Sequence, residues 1–545
     1  MPNCKQCNTG FEITGEDRQF YKKMGVTEPT FCPDCRQQRR LSFRNERKLY
    51  TRKCDGSGKN FISLYSPDKK FTVYSPDYWW GDQWDANSYG RDFDFSRSFV
   101  EQFQDLLKRT PHLGVIISHG ENSDYCPHSI FYKDSYMCVS GFSCRDCMYT
   151  FFANRSNDCV DCSYIYDCER CYECVNGNNL NSCYFCKDCK NSNDLLFCED
   201  LIGCNNCIGC IGLNHKKYQI FNKPVSKEEY ENRKKEMMGS YKNINKFKKT
   251  FADFKLNYPH RALYRINAEN CTGDQIYNCK NAHLCFDVMN LEDCAYCWNL
   301  PQSGKDMYDS NYSVGEKGCE GMSMTINNGI SNWTCWDCAD TYYSVMCFYS
   351  KNVFGCVGIK NKQYCILNKQ YSKQEYEELV PKIINHMTLG SEWGEFFPAR
   401  LSPFGYNETA AYEHFPLSQQ KAIKLGFNWS EFEAEKPDVK TVKTTQLPDA
   451  IQDVRDDILN IAIECEVTGR PFRIIKKELN FYRQNGLPLP RKHPDERHKE
   501  RVELRNPRKL WKRECAKCNT DMETTYAPER PEIVYCEQCY LKEVY

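Results

Sequence analysis

A mainly β chain, with small α+β zinc modules repeated at its two ends and two cysteine-ladder β-solenoid segments between them, is the fold class the sequence predicts. Three observations carry it. The two ends are copies at a constant offset, cysteines in the middle fall on a lattice of three, and one closing phrase occurs twice.

A shift of 461 positions lays residues 1–78 on the C-terminus without a gap: Cys4 on Cys465, Phe20-Tyr21 on Phe481-Tyr482, Arg44-Asn45 on Arg505-Asn506, Cys54 on Cys515, Val73-Tyr74 on Val534-Tyr535. Each copy has room for two metal sites made of paired Cys-x-x-Cys knuckles, the spacing of tetrahedral four-thiolate zinc. The first site is complete in the N-terminal copy as Cys4, Cys7, Cys32 and Cys35, and degraded in the C-terminal copy to Cys465, Thr468, His493 and Glu496. The second is complete in the C-terminal copy as Cys515, Cys518, Cys536 and Cys539, and degraded in the N-terminal copy to Cys54, Ser57, Ser75 and Tyr78. Two structural zinc ions are therefore expected, since four thiolates leave no open position for catalysis.

A basic stretch lies between the two sites of each module. Arg36, Arg40, Arg44, Arg47 and Lys48 in one copy answer to Arg497, Arg501, Arg505, Arg508 and Lys509 in the other. Arginine runs beside zinc knuckles suggest phosphate contacts with RNA or the ribosome. The alternative is a face paired with acids elsewhere in a chain of zero formal charge.

The middle holds two cysteine-rich stretches, 126–225 and 263–371. Cys210-Ile-Gly-Leu-Asn through Phe221-Asn-Lys reappears as Cys356-Val-Gly-Ile-Lys through Leu367-Asn-Lys. Each copy leads into a capping box, Ser226 with Glu229 and Ser372 with Glu375, that starts a short helix. In the first stretch the cysteines from Cys126 to Cys210 are all separated by multiples of three. Neither a strand nor a helix has that period. A coil that turns a corner every few residues does, and similar cysteines about 21 to 24 residues apart suggest that length for one rung. Asn157, Asn176, Asn178, Asn179, Asn191 and Asn193 supply turn residues. The ladder thiols are expected to fill a narrow core; the rival reading is a metal-binding or redox thiolate cluster, for example Cys168, Cys171 and Cys174 facing Cys183, Cys186 and Cys189.

The segments expected are 1–80, N-terminal zinc module; 81–125, aromatic-rich connector with a helix from Ser98; 126–225, first ladder; 226–262, helical insert; 263–371, second ladder; 372–448, helix, aromatic wrap and a linker at 428–448; and 449–545, C-terminal zinc module. The 37 cysteines are an odd count in a long chain whose opening, Met-Pro-Asn-Cys, has no apolar signal core. Reduced thiols in a cytoplasm are expected. No apolar run is long enough for a membrane span. Walker, nucleophile-elbow, dinucleotide and His-Glu-x-x-His motifs are missing, so no small-molecule substrate is evident and the expectation leans away from an enzyme.

The opening Cys-x-x-Cys with Phe20-Tyr21 and Cys32-Pro-Asp-Cys-Arg resembles the short treble-clef-type zinc-binding domain. With Tyr364-Cys-Ile-Leu-Asn-Lys and Trp393-Gly-Glu-Phe-Phe-Pro, the whole chain resembles a family of uncharacterised cysteine-rich proteins of candidate-phyla bacteria. Some members carry a CaiB/BaiF label, a term for coenzyme A transferases, and no residue pattern here supports that chemistry. The resemblance implies zinc at the two intact cysteine sets and no activity. The function expected is a non-enzymatic scaffold that binds RNA, the ribosome or a protein.

Overall fold

The computed structural model describes residues 1–433 and 439–544. The chain divides into two compact units, Met1–Ile116 with Tyr264–Glu433, and Ile117–Leu263 with Ala434–Tyr545. Each terminal module thus shares a unit with the ladder farther from it in sequence. The seven expected segments are regrouped accordingly.

In the first ladder, strands from Ile117–Ser118 to Lys217–Ile220 run parallel. Each residue pairs with the one twelve ahead: Phe151 with Ser163, Asn178 with Lys190, Cys207 with Gln219. The expected rung of 21 to 24 residues is therefore corrected to twelve. The lattice of three reappears as a left-handed residue at every third position; Ser140, Ser143, Asp146, Tyr149 and Phe152 have φ of 54, 55, 56, 55 and 58°. A left-handed residue turns an extended chain sharply, so each side is three residues long. Of the asparagines expected at turns, Asn176, Asn179 and Asn191 take this conformation.

A corner every three residues strains a non-glycine backbone by about 1–2 kcal/mol per left-handed residue. Hydrogen bonds offset this. The residue after each inward side chain donates forward, as Met148 N–H does to Cys159 O at 2.9 Å, and the corner residue donates backward, as Tyr149 N–H does to Tyr136 O at 3.0 Å. The N–H of the inward residue points into the core, where an unpaired donor is costly. The inward side chain one rung earlier takes it. Cys147 N–H donates to Ser135 Oγ at 3.2 Å, Cys168 N–H to Ser156 Oγ at 3.1 Å, Cys174 N–H to Cys162 Sγ at 3.4 Å and Cys204 N–H to Ser192 Oγ at 3.1 Å. The thiols donate in turn to carbonyls, Cys162 Sγ to Val160 O at 3.3 Å and Cys174 Sγ to Cys183 O at 3.2 Å. Cysteine and serine are small and both donate and accept, which suits them to most inward positions of so narrow a coil; Ile165, Leu180, Leu195 and Leu201 fill others with apolar bulk. The cysteines from Cys126 to Cys210 form one buried cluster with Ala153, Ile165, Leu180, Leu195 and Leu201.

The second ladder is less regular. Its register is eleven residues at Gly304 with Gly315, thirteen at Leu291 with Gly304, and twelve at Lys351 with Gln363. Both ladders close alike. A short antiparallel strand folds back, and an asparagine side chain pairs with the last rung: Asn222 with Ile211 at 2.9 and 2.8 Å, Asn368 with Val357 at 2.8 and 2.8 Å. Ser226 and Ser372 then cap the helices Lys227–Met237 and Lys373–Leu389, and Ser98 caps Phe99–Arg109. Trp393, Phe396, Phe397, Phe404 and Tyr406 are buried, as expected of a wrap over a core. Of the expected linker 428–448, residues 434–438 lie outside the described residues, and Thr441–Lys443 is a strand beside Ala462–Glu464. No helix among the described residues is long and apolar enough to cross a membrane.

Candidate metal centres

Four knuckles, two in each module, are built the same way. Cys4 N–H donates to Thr9 O at 3.0 Å and Asn8 N–H to Cys4 O at 2.9 Å; Cys515 pairs likewise with Thr520 and Asn519 at 2.9 and 2.9 Å. The knuckles of the degraded sites keep the turn, Cys54 with Lys59 and Gly58 at 2.8 and 2.8 Å, Cys465 with Arg470 and Gly469 at 3.0 and 2.9 Å. The turn needs a left-handed residue four places after the cysteine, and Asn8, Gly58, Gly469 and Asn519 supply it with φ of 59, 71, 69 and 57°.

In the two intact sets the four sulfurs lie within 4.8 Å of one another. Cys7 Sγ is 3.7 Å from Cys32 Sγ, and Cys518 Sγ is 3.8 Å from Cys536 Sγ. A tetrahedron with zinc–sulfur bonds of about 2.3 Å has edges of about 3.8 Å, so the donor set and its spacing fit such an ion. The hydrogen bond from Cys35 is the largest of the effects that set the Cys32 thiol at about 5, with Cys35 raised in turn. Thr520 is the main cause of the lowering of Cys518 to about 6. Among the described residues the ladder cysteines form no such group, and neither do Cys465, His493 and Glu496. None of the cysteines is paired in a disulfide.

The degraded sites are occupied by other contacts. His493 caps the helix Pro494–Glu503, accepting from Asp495 N–H at 3.1 Å. In the N-terminal module the Tyr78 ring lies where a Cβ on Gly56 would come within 2.2 Å of it. Beyond it, Lys360 of the second ladder donates to Trp79 O at 2.6 Å and sits 4.8, 5.9 and 5.0 Å from the centres of Trp79, Trp80 and Trp84. An ammonium among three indoles is a cation–π clamp.

Half of the ten basic residues expected to meet phosphate lie inside the protein. Arg36, Arg40, Arg44, Arg497 and Arg501 are buried, and each meets a ladder in its own unit. Arg36 Nε lies 2.9 Å and Arg40 Nη1 3.2 Å from Asp309, and Arg40 is 2.6 Å from Glu320. In the other unit Arg497 pairs with Asp161, and Arg501 Nη1 is 2.7 Å from the same carboxylate. The likeness extends outward. Arg40 Nε donates to Asn311 at 3.0 Å and Arg501 Nε to Ser163 at 3.3 Å. Arg44 lies 3.8 Å over the Tyr312 ring and Arg505 3.7 Å over Tyr164. Tyr296 donates to Asp17 at 2.9 Å and Tyr149 to Glu478 at 3.1 Å. Arg47, Lys48 and Arg508 are half-buried, with Arg508 donating to Tyr164 Oη at 2.7 Å, and Lys509 is exposed 5.2 Å from the Trp511 ring.

Asp161, Asp309 and Glu320 went unrecognised in the sequence because their partners lie hundreds of residues away. A signal was present: Asp161-Cys-Ser-Tyr164 and Asp309-Ser-Asn-Tyr312 place an aspartate and a tyrosine at the same interval in both ladders. No family model matches the chain, and no curated protein matches it.

Proposed function

We propose that this chain is a non-enzymatic scaffold: two zinc-ribbon or treble-clef modules, each clamped on a cysteine-packed β-solenoid, that together gather a protein partner. The observation that carries this reading is the twin clamp, in which equivalent arginines of both modules are buried on equivalent ladder carboxylates. Side chains committed to holding the molecule together are unavailable to phosphate, which favours a protein partner over RNA. Four thiolates in a tetrahedron select zinc over harder cations. Such an ion, once bound, supplies folding energy, while Cys4, Cys7, Cys32, Cys35, Cys515, Cys518, Cys536 and Cys539 hold it. Reduced ladder thiols belong with a cytoplasmic setting.

The rival is a thiolate store that uses the ladders for metal or redox chemistry. Cys162 separates the two. It is fully buried, donates to Val160 O and accepts from Cys174 N–H. Cys162→Ser keeps both bonds and is expected to stay within about 1 kcal/mol of the parent, with unchanged metal content, whereas Cys162→Val strands a buried N–H and costs about 1–3 kcal/mol. Denaturant unfolding and elemental analysis give the answer. Loss of metal in the serine variant would favour the thiolate store.

A further inference from the structure

We propose, resting on the zinc reading above, that the C-terminal cysteine set is a peroxide-sensitive site, with Cys518 and Cys536 the pair that is oxidised, while the N-terminal set reacts more slowly. The two sets share ligands and spacing but differ in their surroundings. Cys4, Cys32 and Cys35 belong to an apolar cluster with Phe11, Ile13, Phe20 and Tyr308. There Phe20 stacks on Tyr308 at 3.7 Å. Cys7 is exposed here as Cys518 is in the other set, but Cys32, whose sulfur lies 3.7 Å from it, and Cys35 are only 8% and 6% exposed. In the C-terminal set Cys518 is exposed and Cys536 and Cys539 are half-buried, leaving Cys515 as the one shielded thiol. Reactivity of a thiolate follows its access to the oxidant.

Cys518 and Cys536 come from different knuckles, and their sulfurs are 3.8 Å apart. A disulfide needs about 2.05 Å, a closure small enough for two side chains to make. Peroxide oxidises the two thiolates: one sulfur attacks a peroxide oxygen, the O–O bond breaks with loss of hydroxide and a sulfenic acid is left; the second thiolate then attacks that sulfur, forming the S–S bond as the oxygen departs as hydroxide, and both hydroxides are protonated to water. Two thiolates, one hydrogen peroxide and two protons give one disulfide and two waters. With two of four ligands gone, the metal ion leaves.

The surrounding framework has anchors besides those two sulfurs. The strand Ile533–Tyr535 stays paired with Pro259–Arg261, and the helix Glu537–Val544 is tied through Glu537 to Arg261 and through Tyr540 to Asp200 on the first ladder. The site therefore opens and recloses within a fixed frame.

The test uses the full zinc-loaded chain, hydrogen peroxide, a chromogenic zinc chelator and peptide mapping. One ion is expected to leave at least about tenfold faster than the other, as the difference in thiol access requires. The early product should carry a Cys518–Cys536 disulfide, and a thiol reductant with added zinc should restore it. Release of both ions at one rate, or a first disulfide among Cys4, Cys7, Cys32 and Cys35 or within the ladders, overturns the proposal and leaves the zinc reading standing. A chain that carries no zinc before peroxide is added contradicts the zinc reading, and this proposal with it.

Discussion

Cys32→Ser is expected to lower the zinc content from two ions per chain to one and to loosen the start of the N-terminal module. A structural four-thiolate zinc contributes about 10–16 kcal/mol of apparent binding energy, more than a small module's own packing supplies. Cys32 also stands immediately before the helix Pro33–Leu41, which carries Arg36 and Arg40 into their carboxylates. Losing the ion frees the head of that helix, so limited proteolysis should cut within the first 45 residues while the ladders resist. His493→Ala, at the equivalent place in the other module, should leave the metal content unchanged, because His493 serves as a helix cap. Two zinc ions in Cys32→Ser, or a lost ion in His493→Ala, would show that the sites have been assigned wrongly.

Asp161→Ala is expected to cost about 3–5 kcal/mol, the range for removing one partner of a buried ion pair. The aspartate side chain is fully buried and meets both Arg497 and Arg501. Its loss leaves two guanidinium groups out of water around one vacancy, with Glu478 3.4 Å from Arg497. Asp161→Asn, which keeps the shape and part of the hydrogen bonding, should fall between. Thermal unfolding followed by calorimetry reads the effect in the unit that contains the first ladder. A change under about 1 kcal/mol, the value of an exposed pair, would mean that the clamp is wet and that the arginines are free for other partners.

The cysteine sites and the duplication were legible because they depend on short spacings and on identity at a fixed offset. The closing phrase around Asn222 and Asn368 was legible for the same reason. The lattice of three was visible too, yet it left the number of corners per rung open: cysteines recur in a column every twelve residues or every second rung, and Thr150 interrupts the run between Cys138 and Cys162. Backbone pairing, which the side-chain pattern does not encode, settles it at twelve. The burial of five of the basic residues was not legible for a different reason. A local run of arginines looks the same whether it faces phosphate or a carboxylate 273 residues away, as Arg36 and Asp309 are. Two copies of a partner site, Asp161 with Tyr164 and Asp309 with Tyr312, were the sole clue, and they stand among many other aspartates and tyrosines.

The measurement that bears most directly on the account is the metal and thiol content of the protein purified without oxygen. Two zinc ions per chain are predicted, with no iron–sulfur absorption. After the zinc is stripped under native conditions, a thiol reagent should reach Cys7, Cys518, Cys536 and Cys539 first, the cysteines that are not buried, then Cys4, Cys32 and Cys35 as the N-terminal module loosens, and all 37 only after unfolding. Four or more metal ions per chain, a visible iron–sulfur band, or rapid reaction of ladder thiols in the folded protein would contradict it.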